Sequence, residues 1–195
     1  MELFLPWFIT LQVFCLVCGY PSGAPTGACE DMLPRHAGML PQASLAPYTL
    51  LTNTRTFQPG KLITVTITGP EYRGVLLEAR TGSSSNALGS WQLPPPDTRF
   101  LECTGNPQGA VTHLNTNLKD NTTVYSWIPP DSTSPVFFMA TVAQQRTVFW
   151  VNVRSTTMTT EKPGLILATG ASAGMAEEKP LLILVMYFLM LQLLG

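Results

Sequence analysis

The chain is poor in the side chains on which nucleic-acid binding and phosphate chemistry depend. Charged residues make up 12% of its 195 residues, and the formal net charge is −1 at pH 7. A balance this close to neutrality excludes the basic surface that nucleic acid or an anionic membrane face would require. The sequence contains no P-loop and no G-x-G-x-x-G, so it offers no loop that would cradle a nucleotide.

Histidine is scarce as well. The two histidines, His36 and His113, are far apart in the sequence and form no metal-ligand motif. We interpret His36 as a solvated loop residue and His113 as a hydrogen-bonded structural or surface residue near a strand end; the alternative for His113 is a metal or haem ligand. The serine-rich loop at 81–89 lacks the strand-to-helix elbow of a nucleophilic serine. We therefore expect no enzymatic activity and no cofactor.

Long hydrophobic runs are confined to the two ends of the chain. The run at 3–17, followed by the small residue Gly19, is typical of a secretory signal peptide, although Glu2 stands where a basic residue is usual. We predict cleavage after Gly19, which would remove residues 1–19. The alternative is an N-terminal membrane helix.

The terminal run at 181–195 is short for a membrane span, because as a helix it would reach only about 22 Å of the ~30 Å hydrocarbon core. Small residues at 170–174 and a short polar spacer precede it. Small site, spacer and terminal apolar tail together predict a GPI-attachment signal, with Gly170 and Ser172 as the candidate attachment residues. The alternatives are a short membrane span or neither.

Cysteine is also infrequent, with four in the chain. Cys15 and Cys18 lie in the predicted signal peptide, which leaves Cys29 and Cys103 in the mature protein. An even pair in an oxidising compartment predicts one disulfide. Such a bond would contribute roughly 4 kcal/mol by restricting the unfolded chain. Two unpaired thiols are the alternative.

Proline and glycine, by contrast, are abundant, with 17 and 15 residues, as in an all-β domain with many turns. The segment GKLITVTITG at 60–69 places Ile63, Val65 and Ile67 on one face and threonines on the other, which predicts a half-buried strand. Similar short segments recur along the middle of the chain, the last two joined as a hairpin. About seven to nine such strands, after a proline-broken extended lead-in, predict a two-sheet sandwich.

Several further residues have a predicted place. Asn121 begins the only N-x-[ST] sequon, which predicts an N-glycan on an exposed loop.

Glu78 and Arg80 lie two apart on one predicted strand and therefore on one face. We interpret them as a cross-strand or solvated charge pair, with a binding contact as the alternative. Three aromatic residues of the last strands are predicted to lie in the core rather than on an exposed binding patch: Phe137, Phe149 and Trp150.

The composition changes after residue 153, where a Ser/Thr-rich stretch begins. Such a stretch has too little apolar surface to fold. We therefore predict a folded domain at 20–153, a stalk with the candidate attachment site at 154–174, and a spacer with the hydrophobic tail at 175–195.

The ordered series of segments in the middle of the chain resembles reeler, or reelin-type, domains. The segments are YPSGAPTGACEDMLPRH at the predicted mature start, FQPGKLITVTITG, YRGVLLEAR, FLECTG with AVTH, VYSWIPP and FFMATVAQQRTVFWV. The resemblance covers residues 20–153 and implies an immunoglobulin-like β-sandwich with a Cys29–Cys103 disulfide. It does not specify a ligand, because one fold serves many functions.

Some members of the family are membrane reductases, which need haem ligands on several spanning helices. This sequence shows no such helices, so we do not expect reductase activity. The expected function is a non-enzymatic cell-surface protein, held in the outer leaflet of the plasma membrane by a GPI anchor or its C-terminal tail, that binds an unknown extracellular protein or glycan. The alternatives are a secreted innate-defence-type effector that binds microbial surfaces and an extracellular accessory subunit of a membrane redox protein.

Overall fold

The computed structural model describes residues 19–132 and 134–161. This part of the chain contains eleven strands and one 3₁₀ turn. In chain order these are the turn Thr26–Ala28 and the strands β1 (Thr49–Thr52), β2 (Thr56–Phe57), β3 (Ile63–Thr68), β4 (Gly74–Arg80), β5 (Ser90–Trp91), β6 (Thr98–Cys103), β7 (Asn106–His113), β8 (Val124–Ile128), β9 (Phe137–Gln145), β10 (Val148–Arg154) and β11 (Thr159–Thr160).

Most of the strands form two antiparallel sheets. One has the order β1-β3-β8-β5 and the other the order β10-β9-β4-β7-β6, while β11 and β2 form a small parallel pair. Together with the Cys29–Cys103 disulfide, this arrangement confirms the predicted all-β, immunoglobulin-like sandwich. Three strands have only two residues each, too few for a hydrophobic alternation to reveal them in the sequence.

The main core lies between the two sheets. Strand β3 alternates as predicted, with Ile63, Val65 and Ile67 buried and the threonines between them half-exposed. The rings of Trp91 and Trp127 approach the Phe138 ring with centroid distances of 5.6 and 5.1 Å. Large aromatic side chains in such edge and tilted contacts supply much of the burial that stabilises a domain of this size.

The five-stranded sheet is buried on both of its faces, which the sequence analysis did not anticipate. Strand β4 is buried at six consecutive residues and β9 at seven, a pattern expected where both faces of a sheet are covered. The second cover is the N-terminal segment, residues 20–39, which is not merely an extended lead-in. A second cluster of buried residues joins it to the sheet: Ala24, Ala28, Cys29, Met32, Leu76, Leu101, Cys103, Ala110, Phe137 and Met139.

The fold continues beyond residue 153, so the predicted start of the stalk at 154 is wrong. Met158 is fully buried, and its backbone exchanges hydrogen bonds of 2.7 and 2.9 Å with Val136. Strand β11 then pairs with β2. The burial of Met158 and the backbone hydrogen bonds thus attach this stretch to the domain, although its Ser/Thr composition alone predicted no folded structure.

The predictions for the two ends concern residues that the structure does not describe, apart from Gly19. They include the signal peptide, the hydrophobic tail and the attachment candidates Gly170 and Ser172, all of which stay predictions. Within residues 19–132 and 134–161, no helix is long and apolar enough to cross a membrane.

Candidate functional site

The N-terminal segment is fixed to the five-stranded sheet by covalent and polar contacts. The disulfide joins Cys29 to Cys103 at the end of β6, with Cα atoms 5.6 Å apart. Thr141 Oγ1 on β9 donates to the Met32 carbonyl. These contacts hold the segment against the sheet at Cys29 and Met32.

A cavity of about 480 Å³ lies between this segment and the sheet. Its floor is formed where β4 and β9 pair, with Gly74 directly opposite Ala143. A Cβ atom at Gly74 would come within 3.2 Å of the Ala143 Cβ, so the glycine allows the two strands to approach closely here. Leu76 and Met32 add apolar walls.

Both histidines line this cavity. His113 lies at the end of β7, and His36 lies in the N-terminal segment. The sequence analysis treated them as unrelated, and their separation in the chain gave no reason to expect that the fold brings them to one site.

His113 is held by the backbone through both ring nitrogens. Its Nε2 lies 2.7 Å from the Tyr20 carbonyl, to which it donates, and its Nδ1 accepts from the Val75 N–H at 3.3 Å. Burial, partly offset by these hydrogen bonds, lowers the pKa of His113 below 6.5. A neutral ring with both nitrogens engaged supports the structural interpretation of this residue and leaves no lone pair for a metal or haem.

His36 is not the solvated loop residue that the sequence suggested. Its Nδ1 donates to the Arg146 carbonyl at 2.8 Å, and its ring meets the Phe149 ring edge-on at 5.3 Å. Burial lowers its pKa as well. Since Nδ1 carries the proton in the neutral ring, Nε2 is left as an acceptor.

Two arginines complete the polar part of the cavity. Arg73 Nη1 donates to the Thr116 carbonyl at 2.8 Å. Arg146 Nη2 makes a long contact of 3.4 Å to the Ala37 carbonyl. The Arg146 Nε is buried and lacks an acceptor, the only such side-chain nitrogen or oxygen in the described part of the chain. Among residues 19–132 and 134–161, no Asp or Glu lines the cavity.

Neither the cavity nor its arginines were predicted from the sequence. A signal was nevertheless present, because the segments GVLLEAR and PVFFMATV run apolar without alternation. Such runs indicate a sheet covered on both faces. The residues that cover the second face must then come from outside the two sheets, and the long N-terminal segment before β1 is a candidate.

Glu78 and Arg80 form a buried ion pair rather than a cross-strand or solvated one. Both lie on β4, and their side chains are 0% and 6% exposed. Arg80 Nε donates to Glu78 Oε2 at 2.9 Å, and its Nη groups donate to the Cys29 and Glu30 carbonyls. Burial raises the pKa of Glu78 to about 7, and the Arg80 guanidinium limits the rise. The pair therefore ties β4 to the N-terminal segment.

One group of potential metal ligands occurs in the described residues. Its members belong to the contacts that attach the N-terminal segment to the sheet. Cys29, Glu78 and Cys103 lie within 4.8 Å of one another. The two sulfurs are bonded to each other, so neither is a thiolate ligand. The cluster is a structural anchor.

The predicted aromatic core residues are buried as expected. Phe149 is 1% exposed, Phe137 7% and Trp150 8%. Phe137 lies on the outer face of its sheet beneath Arg154, whose guanidinium carbon is 4.8 Å from the ring centroid. These three residues therefore offer no exposed aromatic patch.

The sequon residue Asn121 lies in an exposed turn before β8. The turn is formed by Asp120, whose carboxylate accepts hydrogen bonds from the Thr122 N–H at 2.9 Å and from its hydroxyl at 2.6 Å. Exposure agrees with the position expected of a glycan acceptor. The modification itself stays a prediction.

The fold and the disulfide define an immunoglobulin-like β-sandwich module with an added N-terminal cover. The model of the Reeler domain family matches residues 27–164, and the chain therefore belongs to the reeler domain family. This confirms the family resemblance seen in the sequence.

Two groups of relatives share this domain. A candidate defence protein, Hdd11, of Hyphantria cunea is 39% identical over 157 residues, which cover 76% of this chain and 92% of the relative. A Hdd11-like candidate defence protein of Samia ricini is 41% identical, with 74% and 89% covered. Ferric-chelate reductase 1 of Bos taurus is 34% identical, but the similarity covers 75% of this chain and only 25% of the reductase.

A solved structure supports the fold. The human F-spondin reeler domain superposes with a TM-score of 0.52 at 18% identity, covering 63% of this chain and 95% of that domain. At this identity the likeness shows the fold alone.

Proposed function

We propose that this chain is a non-enzymatic reeler-domain protein that acts outside the cell by binding a ligand. The observation that carries the proposal is the cavity beside His113, whose ring nitrogens are committed to backbone partners. A histidine held in this way is poorly placed for proton transfer, whereas a cavity of about 480 Å³ has the size of a small-ligand site. The Cys29–Cys103 disulfide supports an oxidising compartment.

The proposed location is the outer leaflet of the plasma membrane, through a GPI anchor at Gly170 or Ser172. The experiment is expression of the full chain in animal cells and treatment with phosphatidylinositol-specific phospholipase C. We expect release of protein that lacks the 181–195 tail by mass spectrometry, and no release when both candidate residues are replaced by proline. Protein that stays cell-bound with its tail intact would establish a membrane span instead.

A second candidate function, defence against microbes, is favoured by one observation. The similarity to the candidate defence proteins covers nearly their whole length, so those proteins consist almost entirely of the domain that this chain shares. The test compares binding of the released protein to animal cell surfaces and to bacterial cells. Binding to bacteria alone would favour the defence role, and binding to animal cells alone would favour adhesion.

The proposed protein carries an N-glycan at Asn121. Digestion with an N-glycosidase should increase its electrophoretic mobility. The Asn121→Gln variant should run like the digested protein and show no further change on digestion. A wild-type band that does not move would show that the sequon is unused.

A further inference from the structure

Arg146 lines the cavity and has an unsatisfied donor in its guanidinium group. Arg146 Nε is buried without an acceptor, although buried polar groups are normally hydrogen-bonded. Leaving such a donor unpaired is unfavourable, and more so for a charged group. Arg146 Nη2 makes only the long hydrogen bond to the Ala37 carbonyl at 3.4 Å, so the guanidinium retains Nη donors for an acceptor atom of a bound molecule.

The charge around that donor selects an anion. Arg73 and Arg146 both line the cavity, and no carboxylate among the described residues does so. The other titratable groups of the described lining are His36, His113 and Tyr20. Because burial lowers the pKa of both histidines, they are neutral at neutral pH, and the positive charge of the lining comes from the two arginines. Carboxylates are well matched to guanidinium groups, which donate through a planar fork.

The rest of the cavity is apolar. Its floor at Gly74 and Ala143 carries almost no side chain, and Leu76, Met32 and Ala24 form its walls. Ala24, Met32 and Leu76 belong to the buried cluster beneath the N-terminal segment. A ligand that placed only an anion here would leave this surface facing water, whereas a hydrocarbon chain would cover it and gain from the burial of its own apolar surface.

We propose that the cavity binds a small anionic amphiphile, specifically a medium-chain monocarboxylate. Its carboxylate accepts from the Arg146 guanidinium, and its hydrocarbon chain lies over Gly74 and Ala143. This assignment rests on the proposed function, since it names the ligand class of the same cavity.

The test is calorimetric titration of the mature protein, purified from the expressing animal cells, with three molecules of equal chain length: octanoate, octanol and octylamine. We expect octanoate to bind at least tenfold more tightly than octanol, and octylamine to show no binding. Acetate, which has the head group without the chain, should also fail to bind. Equal affinity for the three octyl molecules, or no heat with octanoate, would overturn the proposal without any need for a variant.

Two substitutions then locate the site. Arg146→Gln should weaken octanoate binding at least tenfold and leave octanol binding unchanged, while Ala143→Leu should weaken both because it fills the floor. Arg55→Gln removes an exposed arginine outside the cavity and is the matched control, expected to bind like the wild type. Equal losses in Arg55→Gln and Arg146→Gln would reject the assignment to this cavity.

The outcome separates the two proposals. The cell-surface function is tested by phospholipase release and by binding to cells, neither of which uses octanoate. Failure of octanoate to bind would therefore overturn the ligand class alone, and failure of both cell assays would overturn the proposed function whatever the titration shows.

Discussion

The buried ion pair between Glu78 and Arg80 predicts a stability effect that depends on pH. The perturbation is Arg80→Met, which keeps the length of the side chain but removes its charge and its donors. Two kinds of interaction are lost: the contact to Glu78 at 2.9 Å, and the hydrogen bonds to the Cys29 and Glu30 carbonyls of the N-terminal segment.

The two losses act in different pH ranges. In the unfolded chain Glu78 titrates near 4.5, whereas in the folded protein burial raises the pKa of Glu78 to about 7, with Arg80 opposing the rise. The Glu78 contribution to stability therefore falls as the pH rises between these values and is constant above them. Without Arg80 the pKa of Glu78 in the fold rises further, so the fall continues above pH 7.

The expected size follows from the same reasoning. At pH 5 the folded protein holds Glu78 protonated, and Arg80→Met loses mainly hydrogen bonds, about 1–3 kcal/mol. At pH 8.5 an unpaired buried carboxylate is added, and the loss grows to about 3–5 kcal/mol. The difference between wild type and variant in unfolding free energy should thus increase by about 2 kcal/mol over this range.

The assay is urea unfolding of both proteins at pH 5 and pH 8.5. Taking the difference at each pH cancels the titration of His36 and His113, which both proteins share. Arg154→Met is the control, since Arg154 is an exposed arginine on the same sheet, and its effect should not change with pH. In a Glu78→Gln background the carboxylate is absent, so the unfolding free energy lost on adding Arg80→Met should be the same at both pH values. An equal effect of Arg80→Met at both pH values would refute the reasoning.

Three further predictions concern unfolding free energies measured with urea. Replacing both Cys29 and Cys103 by serine should lower the wild-type value by about 4 kcal/mol, since 74 positions separate them; a loss below about 1 kcal/mol would contradict this. Because burial lowers the pKa of His113 below the unfolded value of 6.5, the His113 contribution to stability should fall as the pH drops below 6.5, opposite to the Glu78 contribution, so the stability lost in His113→Gln should become smaller at acid pH; a difference between wild type and variant that does not change with pH would argue against it. Gly89→Ala should lower the unfolding free energy by about 3 kcal/mol or more, because the added Cβ would collide with strand β8. Gly105→Ala is the control: Gly105 also has a positive φ but lies in open space, so the loss should be about 1–2 kcal/mol. Equal losses in the two variants would refute the collision.

The sandwich could be predicted because its evidence is local. The alternation of Ile63, Val65 and Ile67 matches the period of a strand, and the structure buries those three residues. The disulfide followed from the count of cysteines in the mature chain. Both inferences needed only residue types and their spacing.

The cavity could not be predicted in the same way, because its residues come together only through long-range packing. His36 and His113 belong to different layers, and nothing in their local sequence links them. The ion pair was placed on the correct strand, but its burial depends on the N-terminal segment above it. The segment at 154–161 was missed for a similar reason, since Met158 is the one apolar residue of β11 and its flanks that the fold buries.

The contacts that stabilise the N-terminal segment should also determine the shape of the cavity. The disulfide and Arg80 hold the segment at Cys29 and Glu30, a few residues before Met32 and His36 enter the cavity lining. Loosening that attachment moves a wall of the site, so Arg80→Met should weaken octanoate binding even under conditions where the domain stays folded. Gly89→Ala disturbs the other sheet, and at equal loss of stability it should leave octanoate affinity unchanged. If Arg80→Met left octanoate affinity unchanged while Gly89→Ala weakened it, the attachment of the segment would not determine the shape of the cavity. The attachment would then contribute to stability alone.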